Sequence, residues 1–268
     1  MQLHRLTAVV VVALVVAGST AAAAQIDYRN LDDHRPIRTE DAYPIERYAF
    51  EFLLPYDYEN QRDGASLHVV APEFAHGVAR NTQVGLKLPF AVFDTGPDPE
   101  FGFGGPRLFG LYNFNTETPT LPALSLRADL SLPWGDQAGD DPQLTLKAIA
   151  TRSWGLTRLH LNAAASVTSS TGRPTVDAEP DWSVSLAADR TLFRQSLLLV
   201  GEVAVLAESD RAPTEVTVGG GVRYQLTPTL VLDGGLNRRV TNAGPDLGLT
   251  FGLSHAFAFA GLLPGRRF

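Results

Sequence analysis

The feature that most constrains this chain is an alternation of apolar and polar residues that recurs along most of its length. Within residues 123 to 132, Leu124 and Leu126 alternate with Arg127 and Asp129. A period of two places the two kinds of side chain on opposite faces of a β-strand. We therefore expect an all-β protein whose strands each have one apolar face and one face that carries polar or small side chains.

The links between the alternating segments differ in length in a regular order. Short links fall at residues 76 to 81, 116 to 120, 153 to 155, 191 to 194 and 227 to 229. Longer polar links lie between them, at 58 to 65, 91 to 105, 133 to 142, 167 to 181, 207 to 213 and 239 to 245. This layout predicts a single antiparallel up-and-down transmembrane β-barrel of about 12 strands, with short periplasmic turns and longer extracellular loops.

The charged face of each strand indicates which side of the barrel contacts water. A row of charges is costly in a dry core but inexpensive in a hydrated lumen, so the charges are expected to face inward and the leucines to face lipid. The alternative is a secreted β-sandwich with one solvated face. The candidate lumen-lining residues are Arg47, Glu51, Lys87, Arg107, Arg127, Asp129, Lys147, Arg158, His160, Glu202, Arg223, Asp233 and Arg238.

The first residues have the layout of a secretory signal. Arg5 precedes a short apolar run, which ends in small residues up to Ala24. The run is shorter than the roughly 17 to 25 residues that a spanning helix needs. We expect a signal peptide at 1–24, a polar segment at 25–44, a barrel at 45–257 and a tail at 258–268. Residues 25–44 fit either a plug in the lumen or a mobile periplasmic tail.

Composition excludes several classes of function. The chain carries 22 Lys and Arg against 29 Asp and Glu, which argues against nucleic acid as a partner. It has no Cys, so disulfides, thiolate metal sites and Cys nucleophiles are excluded.

Six stretches carry a resemblance to a known family. They are HRPIRTEDAYPIERYAFEF (34 to 52), LHVVAPEFAHGVARNTQVGLKLPF (67 to 90), ALSLRADLSLPWGD (123 to 136), LVGEVAV (199 to 205), GGGVRYQLTPTLVLDGGLN (219 to 237) and GLTFGLSHAF (248 to 257). Their order and spacing resemble the outer-membrane β-barrel family of transporters assigned to the meta-pathway of phenol degradation. The resemblance implies a barrel in the outer membrane of a Gram-negative bacterium and transport of small hydrophobic or aromatic compounds.

The end of the chain departs from that family's pattern, because FAGLLPGRRF (259 to 268) follows the last strand. The final strand carries a candidate assembly signal at Thr250, Gly252, His255 and Phe257. His255 stands where an aromatic or aliphatic residue is expected. The expected partners are outer-membrane lipid and lipopolysaccharide, the barrel-assembly machinery and a small hydrophobic solute.

An enzymatic function finds little support in the sequence. His160, Asn162 and Ser166 share one face, so a Ser–His pair for acyl transfer is conceivable, but no separate signature marks a nucleophile. The His residues show no metal-ligand spacing. We expect no enzyme, no cofactor and no metal.

Two functions remain open from the sequence: a channel for small hydrophobic or aromatic compounds, and a structural barrel with a closed lumen. Paired lumen charges are expected to make it a poor general ion porin. Phe109 and Leu111 share the inward phase of Arg107 and offer an apolar stretch of wall. Leu126→Arg is expected to be far more damaging than Arg127→Leu.

Overall fold

The computed structural model describes residues 26–61, 64–96, 98–168, 176, 178–193, 196–207 and 213–259. The expected signal peptide and residues 260–268 of the expected tail lie outside these residues. Among the residues described, no helix has the length and apolar character needed to cross a membrane. The described chain is built from antiparallel strands and their connections.

The strands all belong to one sheet. In chain order they are β1 Ala49–Asn60, β2 Ser66–Val70, β3 Glu73–Ala79, β4 Thr82–Lys87, β5 Phe90–Asp94, β6 Glu100–Phe103, β7 Arg107–Asn115, β8 Ala123–Ser131, β9 Gln143–Trp154, β10 Thr157–Thr168, β11 Trp182–Leu192, β12 Leu197–Ala207, β13 Glu215–Thr227, β14 Leu230–Arg239 and β15 Leu247–Ala258.

Three strands of the barrel wall are each interrupted and so consist of two shorter strands, and the sheet closes on itself. β1 pairs with β2 over its second half and with β3 over its first half, and the same division continues through β5 and β4 to β6 and β7. β15 pairs with β1 along its whole length. Counting each interrupted strand once gives a closed barrel of 12 strands, as the sequence predicts.

Prolines lie at each of the three splits, at Pro72, Pro89 and Pro106. A proline has no N–H to donate to the ladder, so pairing is interrupted there. The carbonyls of these prolines still accept hydrogen bonds from backbone N–H groups of the neighbouring strand. The Leu88 N–H, for example, donates to the Pro72 carbonyl at 2.9 Å. The wall is therefore continuous at this level, although it has fewer backbone hydrogen bonds.

The stretch from 91 to 105 was expected to be a loop, and that expectation is wrong. It contains most of β5 and all of β6, joined by a short link at 95 to 99. The alternating FAVFD and EFGF segments are only five and four residues long. Flanking prolines and glycines, which usually mark loops, conceal strands this short.

The two faces of the barrel strands have the predicted orientation. Leu126 is 41% exposed on the outer face, whereas the neighbouring Arg127 is 1% exposed on the inner face. Exposed leucine, valine and aromatic side chains recur on the outer face from β3 to β15. An apolar outer belt of this kind is what a barrel presents to lipid.

Residues 26–48, which we call the lumen segment, lie inside the barrel. Ile26 donates its N–H to the carbonyl of Pro228 in a short turn at 3.0 Å, which places it at the periplasmic end. The segment runs inward to Pro36, whose carbonyl accepts the Thr250 hydroxyl at 2.9 Å. It then returns to the periplasmic end, where β1 begins at Ala49.

Glycines in the wall make room for the innermost part of this segment. A Cβ on Gly235 would lie 1.9 Å from the Pro36 carbonyl oxygen, and one on Gly221 would lie 2.7 Å from Pro36 Cβ. Both glycines lie in the inward phase of β13 and β14. A larger residue at Gly235 would displace Pro36 because the contact is with backbone.

Candidate functional site

Most of the candidate lumen residues are buried on the inner face. They are Glu51, Lys87, Arg107, Arg127, Asp129, Lys147, Arg158, His160, Glu202, Arg223 and Asp233. Alternation along the strands places them there, and the lumen segment covers much of the space between them. The candidate site is therefore the interface between the lumen segment and the wall.

Two candidates do not face the lumen. Arg47 precedes β1 and is exposed, with its guanidinium 4.4 Å from the centre of the Tyr48 ring. Arg238 is exposed and shares the outward phase of Leu232 and Leu236. The alternation of β14 already placed Arg238 with the leucines, so including it among the lumen charges was wrong.

Arg127 on β8 connects the wall to the lumen segment. Its guanidinium contacts Asp129 on the wall at 2.9 Å, and it contacts Glu40 at 2.9 Å and Asp33 at 3.6 Å in the lumen segment. The same group lies 4.1 Å from the centre of the Phe109 ring. One arginine thus serves three carboxylates and an aromatic face in a buried site.

Lys147 on β9 strengthens the same contact. Its ammonium forms an ion pair with Asp33 and lies 3.7 Å from Glu40. Two cations of the wall therefore face two carboxylates of the lumen segment.

A second network joins β9, β10 and β11 to Asp41. Arg158 contacts Asp41 at 2.8 Å and also pairs with Asp189. His160 lies between Thr151 Oγ1 and Asp189 Oδ2, at 3.0 Å from each. All five side chains are buried.

The hydroxyl–imidazole–carboxylate chain formed by Thr151, His160 and Asp189 holds the lumen segment. The Ala42 N–H donates to Thr151 Oγ1 at 3.0 Å. The Ser–His pair considered from the sequence is not formed, because Ser166 bonds to Thr145 at 2.8 Å. Asn162 instead donates to the Glu40 carbonyl at 2.8 Å.

A third network lies deeper along the lumen segment. Asp32 accepts from Arg35 at 2.9 Å and from Arg223 on β13 at 2.7 Å. Arg35 also lies 3.5 Å from Asp233 on β14. The two arginines are fully buried, so this cluster fills the lumen beside β13 to β15.

Glu202 on β12 holds Thr39. The Thr39 N–H donates to Glu202 Oε2 at 2.6 Å, and Thr39 Oγ1 lies 2.7 Å from Ser185 Oγ on β11. All three side chains are buried. Thr39 thus joins the lumen segment to both β11 and β12.

Asp33, His34 and Glu179 bring three ligand-type atoms within 4.8 Å of one another. His34 lies 2.8 Å from Glu179, which also contacts Arg38 at 3.3 Å and Arg107 at 3.5 Å. Asp33 in turn is paired with Lys147 and Arg127. Because the carboxylates are already neutralised by cations of the protein, this arrangement is an ion-pair cluster and a poor cation site.

The pKa values of two acids in the lumen segment, Glu40 and Asp33, shift in opposite directions. Burial raises the pKa of Glu40 to about 8, against the opposing pull of Arg127 and Lys147. Burial alone would also raise the pKa of Asp33, but Lys147, His34 and Arg127 hold it well below its usual range. Of these two acids, Glu40 is therefore the one that takes up a proton more readily near neutral pH.

Above the lumen segment, at the end with the long loops, lies a cavity of about 580 Å³ that we call the outer cavity. Its floor includes Pro36, Ile37 and Arg38. Its walls mix carboxylates with aliphatic side chains, among them Asp57, Glu59, Glu202, Glu215, Leu67, Val69, Leu206 and Leu249. The volume lies in the range of small-molecule sites.

Phe109 and Leu111 face inward as expected but are not an open stretch of wall. Phe109 is 5% exposed and packs with Ile45, and Leu111 is 2% exposed and packs with Ala42. The lumen segment covers both residues. A solute could reach them only after that segment moved.

Sequence reasoning missed the charged residues of the lumen segment that complete the networks. Asp32, Asp33, Arg35, Glu40 and Asp41 are all contacted by charged wall residues. The available signal was the density of charges in a segment that also carries Leu31, Ile37 and Ile45. A tail that is always solvated has no need for such apolar residues between its charges.

A family profile described as "Putative MetA-pathway of phenol degradation" matches residues 46–257. No curated protein matches the chain. Among solved structures, an outer membrane channel from Pseudomonas putida F1 has a TM-score of 0.67 at 14% identity, over 85% of this chain and 100% of that chain.

Two further structures share the architecture more distantly. The KdgM porin, solved in complex with disordered oligogalacturonate, has a TM-score of 0.52 at 9% identity, over 78% of this chain and 99% of that chain. The beta domain of the Bordetella autotransporter BrkA has a TM-score of 0.50 at 13% identity, over 78% and 99% of the two chains. At these identities the likeness concerns the fold, which is an outer-membrane β-barrel.

Proposed function

We propose that this chain, which belongs to the family described as "Putative MetA-pathway of phenol degradation", is an outer-membrane channel for small, weakly polar molecules such as phenols. The lumen segment is its plug, and passage requires the plug to shift. The observation that carries this proposal is the outer cavity, which leads from the long-loop end down to the lumen segment and ends there.

The lining of the outer cavity supports a weakly polar solute. Its aliphatic side chains, such as Leu67 and Leu249, offer contact to an apolar body, and polar groups such as Glu202 and Thr217 can orient a hydroxyl. Pockets for small molecules combine apolar walls with a few placed polar groups in this way. The water-filled lumen of a porin is instead polar.

The way in which the lumen segment is held supports a plug that can move. Its contacts with the wall include many hydrogen bonds and ion pairs, such as those of Glu40, Asp41 and Thr39, beside apolar contacts such as those in which Leu31 and Ile45 take part. Polar contacts can be exchanged for water when a segment leaves the wall, at a modest net cost for each one. A barrel closed by its plug in the resting state would conduct ions poorly.

A structural barrel with a closed lumen is the second candidate function. The specific observation that favours it is the extent of pairing between the lumen segment and the wall. Arg127, Lys147 and Arg158 each hold a carboxylate of that segment in a buried site. In this case the outer cavity would be a vestibule without an exit.

The experiment compares salt conductance with solute flux. The purified protein is reconstituted in planar bilayers and in vesicles whose outer leaflet contains lipopolysaccharide, because phenol crosses plain phospholipid unaided. We expect small conductance together with phenol uptake above that of protein-free vesicles. Large porin-like conductance without solute preference would reject the proposal, and no flux of either kind would favour the closed barrel.

A further inference from the structure

At the periplasmic end, on the opposite side of the lumen segment from the outer cavity, lies a second cavity of about 260 Å³. We call it the inner cavity. Residues of the lumen segment form one side of it, including Ile26, Tyr43 and Ile45, and the start of β1 forms the other. Asp27 and Glu46 are exposed and lie at its mouth.

Glu51 on β1 lines this cavity and is 4% exposed. Its Oε1 atom has no hydrogen-bond partner among the described residues. Leaving a buried acceptor without a donor is unfavourable, and more so for a charged group. A carboxylate oxygen that lines a cavity in this state is suited to accept a hydrogen bond from a ligand.

The charges around Glu51 favour a positive ligand. Three of the residues that line the cavity are acidic, and none of the described residues that line it is Lys, Arg or His. Arg35 and Arg223 attract the Glu51 carboxylate, but neither lines the cavity and both are already paired with Asp32. The negative charges of Asp32 and Glu73 also act on Glu51.

The lining also decides between a metal ion and an organic cation. Hard metal ions take six or more oxygen ligands or keep their water. The carboxylates of Asp27, Glu46 and Glu51 do not form a metal-ligand group among the described residues, and Ile26, Ile45 and Ala256 add only buried aliphatic surface. An organic cation needs one strong acceptor for its N–H groups and apolar surface for its body, and both are present.

We propose that the inner cavity is a binding site for a small primary ammonium compound with an apolar body. The ammonium donates to Glu51, and the apolar part packs on Ile26 and Ile45. Asp27 and Glu46 draw the cation to the mouth from the periplasm. Asp27 Oδ1 accepts the Arg29 N–H at 2.9 Å, which fixes its position at the rim.

The test measures equilibrium binding of benzylammonium to the full mature chain in nanodiscs by calorimetry. Benzyl alcohol and benzoate serve as neutral and anionic probes of the same shape. We expect benzylammonium to bind at least tenfold more tightly than either probe, and its binding to weaken as salt screens the mouth. Equal binding of benzyl alcohol would overturn the proposal, because it would show an apolar pocket without charge recognition.

Variants locate the site. Glu51→Gln is expected to lower the affinity for benzylammonium at least tenfold, whereas Glu100→Gln, which removes an exposed charge at the opposite end, leaves it unchanged. Asn30→Trp fills the cavity from a half-buried position without changing any charge, and should also abolish binding. Unchanged binding in Asn30→Trp overturns the proposal even if Glu51→Gln fails to fold.

The proposed ammonium site in the inner cavity does not depend on the proposed transport function. Binding of benzylammonium without phenol flux would retain the site in a closed barrel. Phenol flux without benzylammonium binding would reject the site and leave the proposed function standing.

Discussion

Replacing Arg127 with leucine should make the lumen segment undock more often while the barrel itself stays folded. Arg127 is 1% exposed and pairs with two carboxylates of that segment, Glu40 at 2.9 Å and Asp33 at 3.6 Å. It also pairs with Asp129 on its own strand at 2.9 Å. Leucine fills part of the same volume but satisfies none of these acids.

The size of the effect follows from the pairs that are lost. Removing one partner of a buried ion pair costs roughly 3 to 5 kcal/mol. Lys147 still contacts Asp33 and Glu40 in the variant, so we take the lower end, about 3 kcal/mol. At 1.36 kcal/mol for each tenfold step, this makes the undocked state roughly a hundredfold more populated.

Trypsin measures this population because Arg29 and Arg38 lie in the lumen segment and are protected while it is docked, whereas the bond after Arg35 precedes Pro36 and is not cut. When docking is fast relative to cleavage, the rate of cleavage follows the undocked population. Arg127→Leu should therefore be cut roughly a hundredfold faster, with the barrel fragment intact by mass. Arg127→Lys keeps the positive charge but loses the planar guanidinium that can bind two carboxylate oxygens at once. Its cleavage rate should therefore lie between those of wild type and Arg127→Leu. A rate within threefold of wild type would refute the role given to Arg127.

Three further predictions concern other parts of the chain. Leu126→Arg places a charge on the lipid face and should weaken folding into bilayers by about 2 to 4 kcal/mol, which urea titration in vesicles measures; no effect would contradict the orientation. The Glu40 pKa of about 8 in the docked state exceeds its ordinary 4.5, so docking should weaken as pH rises through that window. Salt conductance should then rise with pH in wild type and stay flat in Glu40→Gln; a wild-type response that persists in the variant would assign it to another group. Mass spectrometry of membrane-extracted protein should find Gln25 at the amino terminus, and an intact Met1 would contradict the expected cleavage.

The comparison of Leu126 with Arg127 shows how far the sequence alone can go. Alternation places the two side chains on opposite faces, and the structure confirms this orientation. The sequence also suggested that changes at Arg127 would be mild, since lumen residues of a barrel usually tune selectivity. That judgement lacked Asp33 and Glu40, which come from a segment nearly ninety positions away in the chain. We therefore revise the expected effect of Arg127→Leu upward.

The strands of the barrel wall could be predicted from the sequence, whereas the position of the lumen segment inside the barrel could not. Strand pairing follows from period-two patterning and from the order of turns, both of which are local. The position of the lumen segment depends on contacts such as Pro36 against Gly235, which join distant parts of the chain. An inward-facing glycine in a strand indicates close approach of other backbone, but it does not identify that backbone.

A reversible cross-link between the lumen segment and the wall tests directly whether this segment must move for a solute to pass. Thr39 Oγ1 and Ser185 Oγ lie 2.7 Å apart, so Thr39→Cys with Ser185→Cys places two sulfurs within bonding reach in a chain that has no other Cys. Phenol uptake into vesicles is then measured with the disulfide formed and again after reduction, beside each single variant treated in the same way. Uptake is expected to stop when the disulfide forms and to return on reduction, while the single variants do not respond. Uptake that continues at the same rate with the lumen segment locked to β11 would contradict this expectation.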